Sequence, residues 1–331
     1  MNALPNCVAL AFWRGLALVT GLIACAAAQA QAYPAKPVRV VIPYPVGGGA
    51  EGAARLVANH LSKATGQSFI IDPRPGGNTV IGTEAVAKAA PDGYTLLVTG
   101  GSTMSVQPFV FAGKLPYDPL ADFSPIGMVS RFPFFLVVPA SLNTPTYKDF
   151  IALVKSKPGQ LAYASNGSGT LSHLGSEMLK QSAGLDMLHV PYKGFGPVLP
   201  DLLTGRVVAT LADIAPVGEQ VRAGKLRILA STGTQRSPYA PDAPTLAELG
   251  NPGYEVEVWF ALYAPAKTPQ DIIARLGDEM RKYLGSAEAK EAFAKLGHDP
   301  YVSGADEVRA RIVEEHKRFA VAVKAAKLKP E

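Results

Sequence analysis

Cysteine is almost missing from this chain: its two residues, Cys7 and Cys25, both fall within the first 32 positions. If that segment is removed, no thiol, disulfide or cysteine-based metal site remains. Histidine is scarce as well. His60, His173, His189, His298 and His316 form no H-E-x-x-H and no close pair, so no zinc site is expected. No G-x-S-x-G occurs, which argues against a nucleophile elbow. Charged residues make up only 18% of the chain, and after residue 32 the 31 bases nearly balance 27 acids. That charge is too dilute for a nucleic-acid groove, which needs clustered Lys and Arg. Heptads, a collagen period and repeats of 20–50 residues are also lacking. What is present is core-forming material: 48% hydrophobic residues in 331, enough for two ordinary domains. The 32 glycines and 28 prolines imply many shaped loops.

The N-terminus has the grammar of export. Arg14 is the one charged residue among the first 32, and it precedes a short apolar run, Gly15 to Ala28. The run ends in Ala-Gln-Ala-Gln-Ala, a small-x-small exit, so residues 1–32 read as a secretory signal peptide cleaved after Ala30 or Ala32. The run is shorter than the roughly 20 residues of a spanning helix. Leu22-Ile23-Ala24-Cys25 also reads as a lipobox, through which Cys25 would be acylated. Both readings place the working domain outside the cytoplasm, in the periplasm.

From Tyr33 onward, short β-branched runs alternate with amphipathic segments, the pattern of an α/β protein. Strands are expected at 38–42, 68–71, 94–99 and 134–138, with helices at 51–64 and 83–89. A second block follows: strands at 161–164, 207–212 and 226–231, and helices at 146–155, 171–182, 198–203 and 217–222. Residues 254–263 read as an extended crossing, and 268–285, 286–296 and 305–325 as a helical tail charged on one face. The tail has too few core residues to stand alone and is expected to pack on the first block. The resulting domains are 33–132 plus 258–331 and 133–257, joined by crossings near residues 133 and 258 that could act as a hinge.

Gly47-Gly48-Gly49-Ala50-Glu51-Gly52 satisfies G-x-G-x-x-G between a strand and a helix, with Asp72 twenty residues beyond. That is the dinucleotide fingerprint on paper. Pro43 and Pro45 interrupt the turn, however, and an exported protein meets little free nicotinamide cofactor. The physics survives without the nucleotide, because glycine amides at a helix start form an anion site. Ser165-Asn166-Gly167-Ser168-Gly169-Thr170 repeats the arrangement in the second block, although Ser168 or Thr170 could simply cap the helix. Two such loops facing each other across a cleft suit a carboxylate. On that reading bulk at Gly48 or Gly167 should abolish binding. Lys193 and Asp213 sit in loops able to reach the cleft, and Phe195 could line it. His173, one turn into its helix, reads as a structural donor.

Taken in order, a set of short motifs resembles the substrate-binding proteins of tripartite tricarboxylate transporters, the Bug-type receptors. Its carriers are 33–39 (Tyr-Pro-Ala-Lys-Pro-Val-Arg), the Pro-x-Gly-Gly loop at 45–49 with Ala54-Arg55, and Arg74-Pro75-Gly76-Gly77-Asn78-Thr79. Further carriers are 90–97, His189-Val190-Pro191-Tyr192-Lys193-Gly194, 223–227, Pro241 to Pro244 and Trp259-Phe260. The resemblance implies a class II periplasmic binding fold, two α/β lobes joined by two crossing strands with a cleft between them. It further implies a small organic carboxylate pinched by loop amides and passed to membrane transporter subunits. The expected ligand-binding set is Tyr44, Pro45, Val46, Gly47, Gly48, Gly49, Ala50, Ser102, Thr103, Ser165, Asn166, Gly167, Gly169, Thr170, Lys193, Phe195 and Asp213. No catalytic residue, metal, cofactor or nucleic acid is expected, and the receptor should act as a monomer. The family usually has Thr-Asp where this chain has Ala50-Glu51, a small residue at Asn166 and a small polar one at Phe195. Those departures concern the far end of the ligand, where Tyr44 and Phe195 tilt the expectation from a di- or tricarboxylate toward an aromatic acid. The competing readings are an exported enzyme on the same fold and an oxidoreductase using the 47–52 glycine motif.

Overall fold

The computed structural model describes residues 33–111 and 113–330; the expected leader, 1–32, lies outside them. Two sheets organise the chain. The first contains β1 (Val38–Ile42), β2 (Phe69–Pro73), β3 (Thr95–Gly100), β4 (Phe123–Pro133), β10 (Glu257–Pro265) and β11 (Asp299–Pro300), in the order β11-β4-β10-β3-β1-β2. The second contains β5 (Phe135–Pro139), β6 (Ala162–Ser165), β7 (Leu188–Pro191), β8 (Ala209–Ala212) and β9 (Leu226–Ser231), in the order β7-β6-β8-β5-β9. β1 is parallel to both β2 and β3, and its Val-Arg-Val-Val-Ile run is buried except for Arg39. That is how a strand covered on both faces should read.

Helices fill the parallel crossovers. α1 (Gly49–Thr65) buries Ala53, Ala54, Val57, Ala58 and Leu61 and stops at Gly66, whose φ of 73° only glycine adopts cheaply. α2 (Val80–Ala87) joins β2 to β3. It begins three residues before the expected helix because Asn78 and Thr79, both at positive φ, turn the chain into it early. After β3 comes a π-helical turn, Ser102–Val106, and a short helix α3 (Gln107–Val110). In the second sheet, α4 (Tyr147–Ser156) starts with a Thr146–Asp149 capping box and α5 (Leu171–Ala183) is capped by Thr170. α6 (Val198–Leu203) and α7 (Ile214–Arg222) follow.

β4 is the main element that sequence reasoning missed. Pro125 and Pro133 argue against an interior strand, but β11 covers β4 only at Ser130 and Arg131. Both prolines therefore lie where one side of the strand has no ladder to break.

The chain passes between the sheets twice. β4 runs into β5 with only Phe134 between them. The return lies alongside, and Thr232 ties the two together: its Oγ1 donates to Val256 O at 2.6 Å and accepts from Phe134 N at 2.9 Å. The tail forms α8 (Gln270–Leu284), α9 (Ala287–Ala294) and α10 (Ala305–Ala325). α10 joins two of the three apolar clusters among the described residues. Val308 and Ile312 pack with Trp259 and Tyr263, while Phe319 and Val323 join Leu171 and Leu174 of α5. No helix among the described residues is long and apolar enough to cross a membrane.

Candidate functional site

The carboxyl end of β1 leads into Pro43-Tyr44-Pro45-Val46 and the three glycines. Gly47 takes φ +85°, Gly48 caps α1 in extended conformation, and Gly49 is the first helical residue. Glu51 occupies one of the amides: its carboxylate accepts from Gly47 N at 2.6 Å and from the Arg55 guanidinium. Those bonds, the Gly47 amide first, hold the Glu51 pKa below the usual carboxylate value. The N–H groups of Gly48, Gly49 and Ala50 have no hydrogen-bond partner among the described residues. They are the unpaired donors that every helix start leaves, here at the positive end of a 17-residue helix.

Tyr44 anchors the floor beside this loop. Its hydroxyl lies 3.0 Å from Thr99 Oγ1 and 3.3 Å from Thr103 Oγ1, and burial raises its pKa. Thr103 Oγ1 is 2.8 Å from Thr79 Oγ1, which also accepts from Gln107 Nε2 at 2.8 Å. Gln107 donates as well to Asn78 O. This network holds Asn78 and Thr79 at φ +53° and +75°, values that are costly for a β-branched threonine. The π-helical turn that carries Thr103 is braced from α10, where His316 Nε2 lies 2.8 Å from Met104 O.

The facing loop, 165–170, is built differently. Asn166 N donates to Ser172 Oγ at 3.0 Å, Gly167 N to Ser165 Oγ at 3.2 Å and Gly169 N to His173 Nδ1 at 3.0 Å. Thr170 N donates to Gly167 O at 3.3 Å. His173 is thus an acceptor here, not the donor expected from the sequence. Burial, then His189 and Lys180, lowers its pKa to about 3, so the lone pair that Gly169 needs is retained at neutral pH. Its ring stacks on His189 at 3.7 Å, and His189 Nε2 lies 2.7 Å from Ser165 Oγ.

The facing loop is joined to the first sheet through the turns beside 44–50. Asn78 Nδ2 donates to Ser168 O at 2.7 Å, and Leu171 N, at the start of α5, donates to Ser102 Oγ at 3.0 Å. Pro45 Cγ lies 3.7 Å from where a Cβ on Gly194 would be. Tyr44, the 45–50 loop, Ser102, Thr103, the 165–170 loop and Asp213 therefore share one neighbourhood. Lys193 is exposed, with no ion pair among the described residues, and Phe195 is half-buried against the α6–α7 cluster. A Cβ on Gly48 would find only Pro45 O, at 3.9 Å, and the φ of −91° suits any residue. The intolerant position in this loop is Gly49 instead, where a Cβ would sit 2.9 Å from His298 Nε2 and 3.5 Å from Asp213 Oδ2. Gly167, at φ +138°, does require glycine.

Sequence reasoning passed over Asn78 as a contact and weighed His298 only as a zinc ligand, not as a site residue. Asn78 had a signal, since Gly-Gly-Asn favours left-handed backbone. His298 had none, because it arrives from the far end of the chain.

Comparison with known proteins places this architecture. The profile described as tripartite tricarboxylate transporter family receptor (TctC) matches residues 53–328. Protein BugT of Bordetella pertussis is 38% identical over 317 residues, covering 95% of this chain and 97% of BugT. Among solved structures, R. palustris Rpa4515 with adipate has a TM-score of 0.86 at 33% identity, covering 91% of this chain and all of its own. MatC from Rhodopseudomonas palustris with bound malate has a TM-score of 0.79 at 29% identity, covering 88% of this chain and all of its own.

Proposed function

Since the chain belongs to the tripartite tricarboxylate transporter receptor family, we propose that it is a periplasmic receptor that binds a small organic carboxylate between two lobes. The receptor hands its cargo to the membrane subunits of a tripartite transporter and carries out no chemistry on it. Residues 1–32 serve as its export signal, with acylation at Cys25 as the alternative fate of the same segment. One lobe comprises 33–132 plus 258–331 and the other 133–257, and the receptor works as a monomer.

One observation carries the reading: the amides of Gly48, Gly49 and Ala50, unpartnered among the described residues, lie at a helix start beside Asp213 of the second sheet, while the Asn78–Ser168 and Ser102–Leu171 bonds join the neighbouring turns to the 165–170 loop and α5. A carboxylate oxygen is the acceptor those donors need, and hydrogen bonds to a charged acceptor in a site closed to water are the strong ones. Relatives solved with adipate and with malate hold ligands of this chemical class. From the first loop the contact set is Tyr44, Pro45, Val46, Gly47, Gly48, Gly49 and Ala50, joined by Ser102 and Thr103. The facing side contributes Ser165, Asn166, Gly167, Gly169, Thr170, Lys193, Phe195 and Asp213. Contacts shared between lobes exist only when the cleft is shut, so ligand shifts the population toward closure, with motion concentrated where Thr232 ties Phe134 to Val256.

A thermal-shift screen over mono-, di- and tricarboxylates and aromatic acids, with product analysis of each mixture, tests the assignment. A receptor gives a melting shift that grows with ligand concentration, about 2.7 kcal/mol at 100 Kd, and leaves the acid unchanged. A product, or no shift with any acid, would overturn it.

A further inference from the structure

Asp213 and His298 contribute no amide to the site, yet both reach Gly49, the first helical residue of the donor loop. Asp213 follows β8 at its carboxyl end, and His298 directly precedes β11 beside β4. They come from opposite sheets, and both aim at Gly49, Oδ2 reaching 3.5 Å and Nε2 2.9 Å from the position of a Cβ there. His298 is fully buried, its Nε2 has no hydrogen-bond partner among the described residues, and its ring is fixed by stacking on Phe132 at 3.8 Å. Its other nitrogen lies 3.4 Å from Ser130 Oγ. Asp213 precedes α7, but its side chain does not cap that helix. Nor does it form an ion pair among the described residues.

Burial alone, with no neighbouring charge, accounts for the rise of the Asp213 pKa to about 7, and burial alone lowers that of His298 to about 3. The half-buried Asp213 carboxyl, which keeps an acceptor oxygen whether or not it is protonated, and the neutral His298 imidazole call for a hydrogen-bond donor between them. A second carboxylate would leave the His298 lone pair unpaired, and Asp213 would repel it once ionised above about pH 7.

We propose that Asp213 and His298 form a specificity subsite that selects carboxylates carrying a hydroxyl or ammonium donor near the carboxylate that the loop amides capture. This rests on the carboxylate-receptor reading and narrows it. Gly49 is part of the device, because a Cβ there would crowd His298 Nε2 at 2.9 Å and Asp213 Oδ2 at 3.5 Å. The subsite discriminates because a donor-free ligand leaves both acceptors buried and unpaired. Sites built to hydrogen-bond a substrate group reject analogues that lack it far more strongly than apolar pockets reject a missing methylene.

The test uses matched acids differing in one substituent: succinate, malate and aspartate on one skeleton, butyrate and 3-hydroxybutyrate on another, and adipate with 2-aminoadipate. Affinities are measured by calorimetry for the wild-type protein and for Asp213→Asn. The wild type should prefer the donor-bearing member of at least one set by about tenfold or more, and Asp213→Asn should reduce that preference to within about threefold. Malate against aspartate separates hydroxyl from ammonium selection. Equal affinity for the plain and substituted acids, or an unchanged preference in a folded Asp213→Asn, overturns the subsite and leaves the receptor standing. If no acid of any set binds, while other carboxylates do, the subsite also falls. If no carboxylate binds at all, the receptor reading falls with it.

Discussion

Loop 44–50 leaves three backbone N–H groups at the start of α1 without a protein partner, whereas loop 165–170 ties its amides to its own hydroxyls and to an imidazole. Both are glycine-rich turns between a strand and a helix, and both helices begin from extended backbone. The difference lies in the residues just inside each helix. α1 begins with Gly-Ala-Glu, and of these only Glu51 reaches back, to the Gly47 amide. α5 begins with Leu-Ser-His, and Ser172 and His173 both turn back onto the loop. The first loop is thus a donor surface open to a guest. The second is a rigid wall whose shape is set from within. A strand–loop–helix motif is an anion site only where nothing in the chain has already taken its donors.

The sharpest way to break this contrast is to fill Gly49. Gly49→Val places side-chain atoms against His298 Nε2 and Asp213 Oδ2 at the mouth of the donor surface. Overpacking there should cost roughly 2 kcal/mol or more of binding free energy, about 30-fold in Kd. Gly48→Ala, with open space at its Cβ, should bind nearly as the wild type does. Calorimetry with one tight-binding acid compares them, and equal losses would mean that the loop is not shaped as described.

The second loop should respond in stability before affinity. His173→Leu removes the acceptor of the Gly169 amide and one partner of the His189 stack, leaving a buried N–H unpaired. A loss of about 2 kcal/mol in urea unfolding is expected. In the first loop the same substitution logic has one target, Glu51, which holds the Gly47 amide.

pH separates the regions further. In the folded protein Asp213 holds its proton up to about pH 7, against an ordinary value of 3.8. Folding therefore favours the protonated form, and stability falls as pH rises from about 4 through 7. Asp213→Asn is neutral throughout, so its melting temperature should exceed that of the wild type by about 2 °C or more at pH 8 and match it near pH 4. A constant difference across that range would show that Asp213 is not desolvated. His173 and His298, lowered from 6.5 to about 3, tilt stability the opposite way between about pH 3 and 6.5, but equally in wild type and variant, so the difference between the two proteins isolates Asp213.

The smallest effect belongs to Lys193. Exposed and without an ion pair among the described residues, it should change affinity by less than about 0.5 kcal/mol when replaced by alanine. If Lys193→Ala abolished binding while Gly49→Val did not, the cleft would work by side-chain charge, and the contrast between the loops would lose its meaning.

The alternation of apolar runs with amphipathic segments was enough to determine the α/β class, the strand at 38–42, the helices that end at Gly66 and Gly184, and the two loops as strand–turn–helix junctions. Those features depend on neighbours a few residues away, so their causes are written locally. β4 escaped because proline vetoes an interior strand only if the ladder is occupied on both sides, and edge position is a tertiary fact. Which loop keeps its amides free was equally invisible, since His173 could have pointed elsewhere on α5 until packing against His189 and Tyr163 fixed its direction. The meeting of Asp213 with His298 was the furthest out of reach. The two residues belong to different sheets and are separated by five elements of chain, α7, β9, β10, α8 and α9, and only the folding of the C-terminal tail back beside β4 brings that imidazole to Gly49.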